Sequence, residues 1–287
     1  MIIVTGATGL LGSQIVERLL TRVPAGQVGL SVRDPQKARA FADQGVRVRR
    51  GDFADPGSLA HAFEGAAQVL IVSTDVMGEE SVRQHRAAID AAVTAGARRV
   101  LYTSHMGASA SSHFQACRDH AATEQALRPC GVPYTSLRNG FYAASAVRFL
   151  SQAMRSDQIV LPADGPVSWT AHEDLADAAA AILADEGRFD GPTPPLTAAR
   201  ALTFDDIAVI AGDVTGRTVT RAVAPDDRFR RQLTEHGVPD EYAGHLIDVF
   251  VAARAGEFAT VDPTLATLLG HEPTPLSSVV RKHLPGA

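Results

Sequence analysis

The sequence predicts an α/β fold: a doubly wound parallel sheet with a smaller, mostly helical C-terminal lobe. Three observations lead there. The chain opens on a short apolar run that breaks into a glycine turn and then an amphipathic stretch. Short runs rich in β-branched residues alternate with helix-length runs as far as residue 142. From residue 143 the alternation gives way to mostly helical periods interrupted by proline and glycine.

The first four residues, Met-Ile-Ile-Val, read as a buried strand, and residues 13–23 as the helix after it. Between them stand Gly6, Gly9 and Gly12 in the spacing G-x-x-G-x-x-G, the form of a Rossmann-like βα turn that holds a dinucleotide. Gly6 permits the turn off the strand, Gly9 clears a path for a pyrophosphate, and Gly12 allows close helix packing. The amides of Thr8, Leu10 and Leu11 and the positive helix end then face the phosphates. A turn with a purely structural role is the other reading of the glycines.

Residues 27–33 form the second strand, and Asp34-Pro35 is a helix start with an Asp cap. At this strand end a carboxylate would hold the ribose 2′-hydroxyl of NAD, whereas Arg33 can pair with the 2′-phosphate of NADP. Lys37, one turn on, adds a second positive charge, so NADP(H) is expected over NAD(H). An exposed charge at a strand end is the plainer reading of Arg33. Residues 46–50 are a third strand, followed by Gly51, Asp52 and Phe53 where adenine would lie. Asp52 either accepts from the adenine amino group or caps the next helix.

Residues 69–72 are a fourth strand ending in Ser73 and Thr74, beside the expected pyrophosphate and ribose. A helix over 80–95 leads to a fifth strand, 98–102, which delivers Thr103, Ser104 and His105. A helix over 112–127 leads to a sixth strand, 134–137, ending in Arg138, Asn139, Gly140, Phe141 and Tyr142. Ligands of such sheets lie at the carboxyl ends of the strands, where all these residues fall. Thr103, Ser104, Asn139, Gly140 and Phe141 are therefore counted with the cofactor contacts. Further on, the pattern gives a strand at 167–170 and a helix at 173–184. A helix at 203–214 and a strand at 218–222 follow, then helices near 226–235 and 239–255, and the tail closes with the segments 265–270 and 276–284. The expected division is a nucleotide-binding domain over 1–155, with 167–185 returning to it, and a substrate-side lobe over 186–287.

The 287 residues carry 45% hydrophobic and 21% charged side chains, ordinary for a globular chain. A net charge of −5 gives no electrostatic support for a nucleic-acid partner. No apolar run is long enough to span a bilayer, and the first residues enter a strand at once, leaving no room for a signal peptide. Cys117 and Cys130 lack C-x-x-C spacing and metal-like neighbours, so no metal is expected. A cytoplasmic protein, a monomer or small homo-oligomer, fits these features.

A serine after the fifth strand invites comparison with short-chain dehydrogenases, which use a Tyr-x-x-x-Lys pair as acid. Lys37 and Lys282 are the two lysines of this chain, and neither follows a tyrosine by four residues. At that spacing stand His120 and Glu124. Their carboxylate could orient the imidazole and raise its pKa, making His120 a proton donor. A surface or lobe-contacting helical pair is the alternative, and His105 and His113 are weaker candidates. Without a strong acid, a conjugated acceptor suits the chemistry better than a simple ketone. Hydride addition to a quinone leaves a delocalised anion, and addition to a cationic dye carbon leaves a neutral product. Phe141 and Tyr142 would offer such a planar acceptor an aromatic shelf, unless they are hinge packing. Nucleotide-sugar epimerase chemistry needs the missing tyrosine–lysine pair.

Several segments together resemble the NmrA-like atypical short-chain dehydrogenase/reductases. They are Thr5-Gly-Ala-Thr-Gly-x-x-Gly12, Val32-Arg-Asp-Pro35, Gly51-Asp52, His120-x-x-x-Glu124 and Leu137-Arg-Asn-Gly-Phe-Tyr142. Asp174-Leu-Ala-Asp-Ala-Ala and Leu268-Leu-Gly-His-Glu-Pro273 extend the likeness toward the end of the chain. The chain looks most similar to the bacterial NADPH-dependent quinone oxidoreductases and triphenylmethane reductases of that group. The resemblance implies NADP(H) on residues 6–12 with Arg33 at its 2′-phosphate, and an acceptor site between sheet and lobe. It also leaves open a non-catalytic NADP(H) sensor, because the wider family includes redox-sensing regulators.

Overall fold

The computed structural model describes residues 1–153 and 157–283. The expected domain limit at residue 155 and the end of the closing segment at Leu284 lie outside the described residues. In chain order the elements begin β1 (Ile2–Thr5), α1 (Leu10–Leu20), β2 (Val28–Val32), α2 (Arg39–Ala42), β3 (Arg47–Arg50) and α3 (Pro56–Phe63). Next come β4 (Gln68–Ile71), α4 (Glu79–Thr94), β5 (Arg99–His105), α5 (Gln115–Leu127), β6 (Tyr134–Asn139), β7 (Phe141–Tyr142) and α6 (Ala143–Ala153). The rest are β8 (Gln158–Leu161), β9 (Trp169–Thr170), α7 (His172–Ala184), β10 (Gly191–Pro192), α8 (Phe204–Thr215) and β11 (Thr220–Val223). They are followed by α9 (Asp226–Glu235), α10 (Asp240–Arg254), α11 (Thr264–Leu269) and α12 (Leu276–His283).

Among the described residues, seven strands form one parallel sheet in the order β10-β6-β5-β4-β1-β2-β3. Strand order reverses between β1 and β4, and this switch point opens a crevice at their carboxyl ends. β1, β2 and β4 are buried throughout, as strands covered on both faces must be. Within β1 the pleat sends Ile3 to the core under α3, α4 and α5, and Ile2 and Val4 to the core under α1 and α7. A third core belongs to the C-terminal lobe, where Phe141, Trp169, Phe204, Phe250 and Phe258 pack between α6, α8 and α10.

α7 packs along α1, and α11 packs on α7. β10, from the turn-rich stretch at 187–195, adds an edge strand beside β6. The last third of the chain therefore supplies pieces to the sheet layers as well as to the lobe. The strand expected at 218–222 is β11, and its parallel partner is β8, which the sequence pattern does not reveal. β8 is four residues long with only two of them buried, too short to register as a periodic pattern. β5 and β6 run further than expected, to His105 and Asn139. That extension puts Thr103, Ser104 and Asn139 inside the sheet, where each side chain has a neighbouring element to meet.

Candidate active site

The glycine turn is built as its spacing requires. Gly6 sits at φ +60°, a conformation open to glycine at little cost. A Cβ at Gly12 would lie 2.2 Å from the Gly6 carbonyl oxygen, so this glycine is fixed by the turn itself. A Cβ at Gly9 would meet nothing nearer than 3.4 Å. Protein packing leaves Gly9 free, and its open side faces a cavity. α1 has neither a side-chain cap nor an acidic residue in its first turn. The first amides of the helix, at Leu10, Leu11 and Gly12, thus have no intrahelical partner and lie on that cavity wall.

The cavity has a volume of about 450 Å³. Gly6, Thr8, Gly9, Leu10, Leu11, Gly12, Arg33, Asp52, Phe53, Ser73, Thr74 and Tyr142 of the expected site residues line it. Arg33 is exposed and has no ion-pair or hydrogen-bond partner among the described residues, leaving its guanidinium available to an anion. Asp34 caps the following turn by accepting from the Gln36 amide at 3.0 Å. Asp52 accepts from the Ala54 amide at 3.0 Å, while the N-cap of α3 is Asp55. Asp52 therefore holds a tight turn on the cavity wall and does not cap the helix.

Six expected contacts lie off this wall. Lys37 sits outside it, in the short turn of helix at 35–38. Thr103 is buried and its hydroxyl oxygen accepts from the Ser73 amide at 2.8 Å. Ser104 points the other way and donates to Glu124 at 2.7 Å. Asn139 is buried at the end of β6, with its side-chain Oδ1 unpartnered. Gly140 is required by a close crossing, because a Cβ would sit 2.1 Å from Thr170 Oγ1. Phe141 enters the lobe core against His105, Trp169 and Phe258. Tyr142, one residue on, faces the groove with its ring 4.2 Å from that of His172, so the two-residue period splits the expected shelf. Burial raises the Tyr142 pKa, and an Asn139 hydrogen bond partly offsets it.

Three consecutive amides after β4 are held by side chains from three other elements. Val72 N–H donates to Thr5 Oγ1 at 2.9 Å, Ser73 N–H to Thr103 Oγ1 and Thr74 N–H to His85 Nε2 at 3.0 Å. The Gly78 amide donates to the buried Asp119 carboxylate at 2.7 Å. Residues 73–75 of this strap line both the groove and a second cavity of about 150 Å³, so the two adjoin there. The rest of the second cavity's wall includes His85, Tyr102, Asp119 and His120.

His120 does not take its orientation from Glu124. Glu124 is 3% exposed and accepts from Arg138 Nε at 3.0 Å, Arg138 Nη2 at 2.7 Å and Ser104. Its oxygens are occupied by the guanidinium that adjacent strand β6 supplies. The imidazole instead meets Tyr102, whose hydroxyl lies 2.7 Å from His120 Nδ1. Burial pushes His120 down to about 4, the reverse of the rise expected from a carboxylate neighbour. His105 stacks on it at 6.0 Å and is likewise held at about 3 by burial. Cys117 lies 3.2 Å from His105 Nδ1 with its thiol pushed up to about 12 by burial, so it is an inert core thiol.

Sequence reasoning missed Thr5, Ser31, His85, Tyr102, Asp119 and His172. Ser31 carried a readable signal, since it is a polar residue in an otherwise apolar strand beside the glycine turn. The others act through contacts between elements far apart in the chain, which spacing does not encode.

The fold and the groove define a nucleotide-binding doubly wound domain whose switch-point crevice has free helix amides and a free arginine. The profile of the NmrA-like family matches residues 1–276, and the chain belongs to that family. It is 34% identical to quinone oxidoreductase 2 of Escherichia coli (strain K12) over 98% of this chain and 97% of that protein. The crystal structure of the NADPH-dependent quinone oxidoreductase from Escherichia coli complexed with NADPH superposes with a TM-score of 0.92, covering 98% and 99% of the two chains. The Citrobacter sp. triphenylmethane reductase complexed with NADP(H) is 35% identical, with a TM-score of 0.90 over 99% and 100% of the two chains. An NAD(P)H azoreductase of Xenophilus azovorans is 27% identical over 99% of this chain and 98% of that one.

Proposed function

We propose that this chain is an NADPH-dependent oxidoreductase that reduces quinones and similar flat, conjugated acceptors. The observation that carries the reading is the pairing of two cavities across one strap: a glycine-turn groove and a small chamber that holds His120. The groove fits NADP(H) by its own chemistry. Gly9 leaves room that a side chain would fill, the first amides of α1 are unpaired, and Arg33 is uncommitted. Thr8, Leu10, Leu11 and Gly12 hold the pyrophosphate, and Arg33 holds the 2′-phosphate. Ser31, Asp52 and Phe53 surround the adenosine, Ser73 and Thr74 the second ribose, and Tyr142 with His172 the nicotinamide. When bound there, the cofactor supplies a hydride.

The protein's part is to align a flat acceptor and exclude water. The histidines that line the chamber are neutral at ordinary pH, so neither is an imidazolium acid. Such a site suits an acceptor whose reduced form delocalises its charge or carries none. The reading places the protein in the cytoplasm, as a monomer or small homo-oligomer, with no nucleic-acid partner. Among the described residues no helix is long and apolar enough to cross a membrane.

The test is a spectrophotometric screen of NADPH oxidation with small quinones, triarylmethane dyes and azo compounds. Turnover with at least one class, and preference for NADPH over NADH, is expected. Tight NADPH binding without turnover of any acceptor would mark a sensor and overturn the proposal.

A further inference from the structure

His120 is flanked on its Nδ1 side by Tyr102, and the hydrogen-bond inventory around that tyrosine sets which nitrogen carries the proton. The accounting starts at His85. Its Nε2 faces the Thr74 N–H, which can only donate, so that nitrogen is the acceptor. Burial holds this ring down to about 3, so it is neutral and its proton sits on Nδ1. His85 Nδ1–H donates to Thr123 Oγ1 at 3.0 Å, and the Thr123 hydroxyl donates on to the Asp119 carbonyl at 2.9 Å. The Tyr102 hydroxyl is 3.4 Å from His85 Nδ1, a donor already engaged, and 2.7 Å from His120 Nδ1. Tyr102 is fully buried, which keeps its hydroxyl protonated, and a buried hydroxyl needs an acceptor. Thr123 Oγ1, the other group beside this hydroxyl, already accepts from His85 and donates to the Asp119 carbonyl, so the acceptor at 2.7 Å is His120 Nδ1.

The opposite nitrogen of His120 has no protein partner among the described residues, yet it is not among the buried unpartnered atoms. It is therefore open to the chamber that His120 lines. The groups around this ring are Tyr102 and His105 from β5, His85 from α4 and, on the wall of the same chamber, Asp75 and Asp119. Asp119 is engaged with the Gly78 amide and Gln115. The Asp119 carboxylate makes no hydrogen bond to the His120 ring among the described residues.

We propose that Tyr102 is a positioning residue: its hydroxyl donates to His120 Nδ1 and fixes the tautomer in which Nε2–H is offered, uncharged, to an acceptor oxygen in the chamber. What that donor does rests on the reductase reading above. A carbonyl oxygen that gains negative charge as the hydride arrives accepts the N–H, and water supplies the proton that completes the product. A cationic dye carbon gains no such oxygen charge, so it draws little from the same donor. Tyr102 thus tunes the site toward oxygen acceptors without ever touching them.

The tautomer is read directly from two-bond ¹⁵N–¹H correlations of histidine-labelled wild-type protein without cofactor or substrate. A protonated Nε2 and a bare Nδ1 at His120 are expected at neutral pH. A protonated Nδ1 would overturn the proposal whatever the enzyme does. In Tyr102→Phe, His120 is expected to show a mixture of tautomers. Turnover of a simple quinone should drop roughly tenfold, the size of one hydrogen bond, with NADPH affinity unchanged. The loss with a triarylmethane cation should be at least fivefold smaller. Equal losses for both acceptors would mean that Tyr102 only holds the fold. If no acceptor turns over at all, the reductase reading fails, and the wild-type spectrum still decides the tautomer.

Discussion

The glycine-turn groove and the smaller chamber share residues 73–75 but are made from different material. The groove draws its central wall from one unbroken turn, and its working parts are main-chain amides and the absence of side chains at Gly9 and Gly12. The chamber is walled by side chains from the loop after β4 and from α4, β5 and α5, and its working parts are ring nitrogens and hydroxyls. A backbone site needs only a local spacing and tolerates change elsewhere. A side-chain site needs several elements in register, and each buried polar atom needs a partner of the right kind.

The contrast can be broken most sharply at the glycines. Gly9→Phe is expected to remove NADPH binding, by at least a hundredfold in Kd, while the thermal midpoint stays near wild type, because a Cβ there meets only ordinary contact. Gly12→Val should instead fail to fold stably, its Cβ driven into the Gly6 carbonyl. Calorimetry of the two variants separates the roles, and a Gly9 variant that binds normally would remove the phosphate cradle. Glu124→Gln breaks the pair with Arg138 and should cost about 2 kcal/mol in urea unfolding, below the fully buried range because Arg138 keeps part of its surface in water. Loss of turnover without loss of stability there would restore Glu124 as a partner in the chemistry.

A smaller effect is expected at Arg33. Arg33→Ala should lower the NADPH over NADH preference about tenfold, measured as the ratio of kcat/KM values, and an unchanged ratio would leave Arg33 a bystander. The smallest effect is on pH dependence. His85, His105 and His120 are held by burial at about 3, 3 and 4, well below the unfolded value of about 6.5. The unfolded chain then binds more protons, so the stability from these groups is complete above about pH 6.5 and is lost as pH falls toward the folded values. The urea midpoint is expected to decline from pH 7 to pH 5, and a flat profile would contradict neutral buried rings.

The same difference in material explains what the sequence made legible. The sheet and the glycine turn follow from periodicities within a dozen residues, and Arg33 follows from its place at a strand end. His120 was visible through its spacing to Glu124, but the reason attached to it was mistaken. Glu124 lies nearer to Arg138 of the next strand than sequence distance suggests, and the guanidinium binds it bidentately. Tyr102 falls within the expected fifth strand and His85 within the expected helix over 80–95, and no spacing singles out either one. Their meeting depends on how α4 and α5 pack over β5. Thr103 was found for the wrong task, since a hydroxyl at a strand end can face a ligand or, as here, tie down a neighbouring amide.

The central claim is that a phosphorylated nicotinamide carrier lies in the groove with its reactive ring at the strap shared by both cavities. A crystal structure of the protein with NADPH tests it most directly. Density for the pyrophosphate on the amides of residues 9–12, for the 2′-phosphate at Arg33, and for the nicotinamide between Tyr142 and residues 73–75 is the result expected. A groove without nucleotide density, or a ring turned away from the chamber that holds His120, would contradict the account.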